Sequence, residues 1–186
     1  SKMRNKKWKI ITLLFLTVFM SASASARPGQ PDYHYAGELE IDAQSGRIGA
    51  DWQITVFDES ETSITFFLRD SLGNLEVSGP GVAKVSMEKQ SGIGDFWAIN
   101  VVLSRPLSES SARLIRISYA GVLLPEPVEN HINAIEPGRV ELNVGSFWFP
   151  IDARFSRVLT ADLAVHIGEG WQGVTTGDAI AIDDGF

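Results

Sequence analysis

The chain has 186 residues, 44% of them hydrophobic and none of them cysteine: enough for a self-sufficient core, too apolar for a disordered acidic tail, and without disulfides, thiolate metal sites or a cysteine nucleophile. It carries 16 basic and 23 acidic side chains, and residues 1–26 hold five of the basic ones and no acid, so the remainder has 11 against 23, a net −12. A surface of that sign repels phosphate backbones and anionic lipid, which argues against nucleic acid and, once a leader is removed, against the membrane as partners.

In chain order, Arg4, Lys6, Lys7 and Lys9 follow Met3, Ile10 to Met20 is apolar, and Ser21 to Ala26 is small, ending Ala24-Ser25-Ala26. Charge, apolar run and an A-x-A-like site make residues 1–26 a secretory signal, cleaved before Arg27. The apolar run is about half the ~20 residues of a spanning helix. The protein is therefore expected to be exported, to a periplasm or the exterior. Residues 27–32 (RPGQPD) read as a flexible lead-in.

Residues 33–178 read as a β-sandwich. Glu38-Leu39-Glu40-Ile41-Asp42 alternates acid and aliphatic, and Ile48, Ala50, Trp52, Ile54 and Val56 stand two apart, the period of a half-buried strand. Ala43 to Gly46 lies between them as a turn, so a long hairpin opens the domain. Further strands are expected at Ser63–Arg69, at Leu75–Val77 after a Leu72-Gly73-Asn74 turn, and at Val82–Lys89 with Ala83, Val85 and Met87 on one face. Others follow around Trp97–Leu103, Arg113–Tyr119, Val140–Pro150 and Leu159–Ile167, with an irregular connection from Leu124 to Gly138. About ten short strands without an amphipathic helix define an all-β, antiparallel sandwich. Residues 179–186 are a tail or the start of a connection to something further.

The apparent sites are weak. Gly168-Glu169-Gly170-Trp171-Gln172-Gly173 matches G-x-G-x-x-G, but a strand-and-turn composition follows it, which makes a glycine-rich turn the better reading. His34, His131 and His166 lie too far apart in sequence for one helical turn to present two of them to a metal, and read as surface histidines. No serine stands in a nucleophile elbow, and no carboxylate pair singles itself out. No catalytic residue and no metal-ligating residue is therefore expected in this chain. Phe147, Trp148 and Phe149 are candidates for an interface, because three consecutive aromatics on a strand cannot all face one core; packing at a sheet edge is the other reading.

Several segments, in order, resemble the N-terminal β-domain of aminopeptidase N-like (gluzincin) zinc metallopeptidases. They are Tyr33-His34-Tyr35 with the Glu38–Asp42 run and Gly46-x-Ile48, then Ser63-Ile64-Thr65-Phe66 with Leu68, then Leu103-Ser104-Arg105-Pro106-Leu107. Ile117-Ser118-Tyr119-x-Gly121, Trp148-Phe149-Pro150, and Gly170-Trp171 before Thr176-Gly177 complete the series. The resemblance implies a saddle-like sandwich packed against a catalytic metallopeptidase domain, in cis or in trans. That domain would carry the zinc, an H-E-x-x-H motif and a G-A-M-E-N loop; neither motif occurs in this sequence, so no cofactor is expected in this chain. Either the sequence is a piece of such an enzyme or it is a free-standing relative. The alternative is a secreted binding or adhesion module with no enzymatic partner. In the family an acid or amide nine residues before a proline binds the substrate's free α-amine. Glu141 stands nine before Pro150, so the resemblance implies an amine anchor for peptide N-termini there, while a solvated strand acid remains the other reading. The segment after the proline, Ile151-Asp152-Ala153-Arg154, departs from the family pattern.

Overall fold

Alternation in the sequence becomes alternation in space along β1 (Tyr33–Asp42) and β2 (Arg47–Val56), which pair antiparallel throughout. Tyr33, Tyr35, Leu39 and Ile41 point into the core while Glu38, Glu40 and Asp42 stay in water. The connecting turn is fixed locally: the Asp42 carboxylate accepts from Gln44 N and from the Ser45 hydroxyl, and Gly46 takes a φ of 70°. Gly37 occupies an inward slot and leaves it to a neighbour. The Trp52 ring lies over it, so close that a Cβ at Gly37 would stand 2.4 Å from the indole.

The structure is a computed structural model and describes residues 31–91, 95–104, 113–123 and 134–171. The signal segment, His131, Arg105 to Leu107, Thr176-Gly177 and residues 179–186 lie outside them. After the hairpin come β3 (Ser63–Arg69), β4 (Leu72–Ser78), β5 (Val82–Gln90), β6 (Phe96–Leu103) and β7 (Arg113–Val122). A short pair follows, β8 (Ala134–Glu136) and β9 (Arg139–Glu141), then β10 (Ile151–Asp152) and β11 (Leu159–His166). One sheet has the order β11-β1-β2-β7-β4 and the other β10-β3-β6-β5. Their inner faces share one buried cluster, with Tyr35, Trp52, Ile54 and Ile117 from the first sheet and Ile64, Phe66, Ile99 and Val101 from the second. The all-β sandwich is thus the architecture of the described chain. Within it one pair departs from the antiparallel rule, since β11 runs parallel to β1.

Four sequence expectations change in detail. Leu72-Gly73-Asn74 is not a turn but the start of β4, where a register shift between Gly73 and Glu76 puts Asn74 at a φ of 49°, a left-handed position that asparagine tolerates. A second bulge, between Val82 and Lys84, moves the inward face of β5 from Val82 to Val85, so Ala83 does not share it and Met87 lies exposed at the sheet edge. The end of the supposed irregular connection, Ala134–Glu136, is strand. Val140–Pro150 is not one strand: β9 ends at Glu141, and the chain then takes a 3-10 turn, Val144–Ser146.

Candidate functional site

The stretch from Asn143 to Arg157 is irregular, so its shape must come from side chains. Asn143 opens it by accepting from Gly145 N with its amide oxygen, and the turn closes on Phe147, which is left-handed at a φ of 53°. From there the segment is held by tyrosines. Tyr119 donates its hydroxyl to Trp148 O, Tyr35 donates to Pro150 O at 2.9 Å, and Tyr33 donates to Asp152 Oδ2 at 2.5 Å. These are all three tyrosines of the chain, each anchored in the first sheet, and they take alternate residues of the strap. Burial pushes all three phenols above their ordinary value, and for Tyr33 the bond to Asp152 adds to it.

The left-handed residue splits the three candidate aromatics. Trp148 and Phe149 turn inward, packing on each other and on Trp52, with Phe149 also edge-on to Tyr35. Trp52 in turn donates its indole N–H to Tyr119 Oη at 3.0 Å. Phe147 goes the other way, to the outer face of the second sheet, where its ring meets Phe67, Phe96 and Phe155 at centroid distances of 5.6–6.3 Å. Phe155 is 61% exposed and, like Phe147, left-handed at a φ of 53°. Phe147 and Phe155 thus both take a backbone region that disfavours bulky residues, and their rings share one aromatic cluster on the outer face of the second sheet. Trp148 and Phe149 are half-buried and pack against the core.

Beyond the proline, the departure from the family pattern acquires a local purpose. Asp152 is 6% exposed and receives Arg154 Nε, the Arg154 backbone N–H and the Tyr33 hydroxyl. Burial pushes its carboxyl up, but these donors outweigh burial and hold it below the ordinary value; the same bonds raise Arg154. Arg154 and Arg157 both bond Glu61, and Arg157 reaches Asp32 at 2.9 Å. Arg113, buried at the start of β7, donates to the carbonyls of Asp58 and Glu61 in the β2–β3 turn. The cluster ties the lead-in, that turn and the strap together. Its chemistry is that of a clasp, because each of these arginines is matched by carboxylates or carbonyls.

Glu141 ends β9 with its side chain 45% exposed and bonds Arg139, two residues earlier on the same face. Arg139 stands directly opposite Glu136 across the β8–β9 pair. A second region is different in character: Glu38, Glu40, Asp42, Arg47 and His166 surround a shallow groove of about 820 Å³ above Gly49. His34 lies on the same sheet, accepting or donating to Thr160 Oγ1 at 3.0 Å. His166 pairs in register with Glu40, six positions along β1 from His34, or roughly 20 Å away. Among the described residues no three His, Cys, Asp or Glu side chains are grouped to hold a metal. Gly168 and Gly170 have φ of 92° and 83°, the geometry of a turn rather than a helix start.

Sequence reading missed the clasp and the phenylalanines at 67, 96 and 155. The signal available was Tyr33 and Tyr35 two apart on an inward face, since buried phenols require acceptors.

No family model and no curated protein matches this chain. Comparison with solved structures finds it similar to an M1 zinc metallopeptidase from Deinococcus radiodurans, at TM-score 0.49 and 20% identity, covering 76% of this chain and 34% of that one. The same comparison finds an M1 zinc metallopeptidase from Deinococcus radiodurans bound to a Tyr-Ser-Ala substrate, at TM-score 0.49, 19% identity, 73% of this chain and 32% of that one. A two-domain M1 zinc metallopeptidase bound to L-arginine follows at TM-score 0.47 and 16% identity, with 76% and 34% covered. The chain spans about a third of the length of these structures.

Proposed function

We propose that this chain is the non-catalytic N-terminal β-sandwich domain of an exported, aminopeptidase-like zinc metallopeptidase. In this reading it walls one side of a peptide-binding cleft, and zinc and bond cleavage belong to a catalytic domain in cis or in trans. One observation carries the reading. The segments that resemble the family are far apart in sequence, yet Tyr33, Tyr35, Phe66, Ile117 and Tyr119 share one buried cluster, and the half-buried Trp148 and Phe149 pack against it through ring contacts and the Tyr119 hydroxyl. A single core shared by these segments is what the resemblance requires.

Two finer assignments go with it. The aromatic face around Phe147 is the docking surface, and Glu141 is the anchor for the ammonium of a peptide N-terminus, which a carboxylate suits through a charge-assisted bond. The decisive experiment is to read the coding sequence beyond the Phe186 codon and the neighbouring genes. An H-E-x-x-H catalytic domain in frame, or a separately encoded one that co-purifies, is the expected result. A stop codon with no such partner would instead favour a free-standing binding module. Where a full-length enzyme is in hand, Glu141→Ala should raise KM for a peptide with a free N-terminus and leave an N-blocked one unaffected.

A further inference from the structure

Glu141 is not vacant in this structure: the Arg139 guanidinium holds its carboxylate. We infer that Arg139 is a displaceable internal cap on Glu141, occupying the place of a ligand's ammonium group until that ligand arrives. The inference rests on the reading of Glu141 as the amine anchor. Three features support it. Residues two apart on a strand share a face, so Arg139 reaches Glu141 without backbone change. Both side chains are about half exposed, 52% for Arg139 and 45% for Glu141, so an incoming cation can approach the carboxylate from solvent. Most telling is Glu136, the cross-strand partner of Arg139. The guanidinium thus bonds Glu141 and has Glu136 as its register neighbour, near enough for its charge to act on it, and both carboxylates favour the charged guanidinium, Glu141 first. When an ammonium takes Glu141, Arg139 has Glu136 as its resting partner and is not left unpaired.

The exchange trades one solvent-exposed cation–carboxylate pair for another, so the cap acts as a modest competitor. Exposed pairs of this kind shift an equilibrium by no more than about five-fold. The two flanking substitutions should act in opposite directions. Arg139→Gln uncovers Glu141, and Glu136→Gln removes the competing carboxylate and leaves Arg139 more firmly on Glu141.

The test uses the full chain, with the Glu141 side-chain carboxyl followed by NMR at fixed ionic strength as L-leucinamide, an α-ammonium without a carboxylate, is added. Expected is a response about two- to five-fold steeper in Arg139→Gln than in the unsubstituted chain, and a shallower one in Glu136→Gln. All three positions are on an exposed short hairpin, so the fold is retained. Equal responses in the three proteins, or movement of both variants in one direction, would overturn the cap; no response even with Arg139 removed would overturn it together with the reading of Glu141 as anchor. Failure of the underlying reading looks different: the amide would perturb the β8–β9 hairpin of Glu141→Gln as strongly as that of the unsubstituted chain.

Discussion

Tyr33 donates its hydroxyl to Asp152 across 119 positions of sequence, and the pair is buried where the first strand meets the strap. A phenol and a carboxylate are both costly to bury alone, and here each meets the other's need. Arg154 also binds both oxygens of Asp152, so removing the Tyr33 hydroxyl does not orphan the charge. Tyr33→Phe is therefore expected to cost about 1.5–2 kcal/mol, the lower part of the range for a bond to a charged group. Urea denaturation of the two proteins measures it. A midpoint unchanged by the substitution would remove Tyr33 from the account of how the strap is held.

The same pair sets the pH limits of stability. Asp152 has a folded value held below its ordinary 3.8, so its contribution is complete above that value and is lost as pH falls through the depressed one. Tyr33, Tyr35 and Tyr119 are raised above 10.0, so above that pH the unfolded chain releases protons that the native chain keeps, and stability falls as pH rises. Stability should be flat from about pH 5 to 9.5 and decline on both sides. Because no tyrosine of the chain is outside this set, tyrosinate absorbance should appear only together with unfolding. A free titration near pH 10 in folded protein would contradict it.

Gly37→Ala tests the seat of Trp52. An added Cβ would stand 2.4 Å from the indole, and the ring cannot move aside without loosening its bond to Tyr119 and its contacts with Trp148 and Phe149. A loss of about 1–3 kcal/mol is expected from such overpacking, with a change in the near-UV circular dichroism of the indoles. Tolerance without either change would mean that Trp52 is not locked.

How much of this was legible beforehand follows from where the constraint lies. The opening hairpin, β3, β6 and β7 declare themselves because one face is buried along the whole strand, and Ile54, Phe66, Ile99 and Ile117 all lie where the period places them. The strap does not, because its course is set by hydroxyls contributed from residues 33, 35 and 119, and no local period records an acceptor 29 to 119 residues away. Read as a strand, Phe147 to Phe149 had to alternate; one left-handed residue packs Trp148 and Phe149 side by side against the core and sends Phe147 to the outer aromatic cluster. The parallel pairing of β11 with β1 was hidden for the same reason, since alternation carries no strand direction. Glu141 was singled out only through a resemblance, and its pairing with Arg139 is visible only in the structure.

Phe155→Gly separates the two roles an outward aromatic can have. At a φ of 53° glycine relieves backbone strain of about 1–2 kcal/mol, while the ring it removes is 61% exposed and contributes little burial. The isolated chain should therefore keep its denaturation midpoint or gain slightly. If the face shared by Phe67, Phe96, Phe147 and Phe155 docks the catalytic domain, the same substitution should weaken that association by about ten-fold or more, as truncation of a central aromatic does at protein interfaces. Calorimetry of domain association, beside the denaturation curve, reads both effects. A destabilised chain with unchanged association would return Phe155 to the role of a packing residue and leave the docking face to be sought elsewhere on the sandwich.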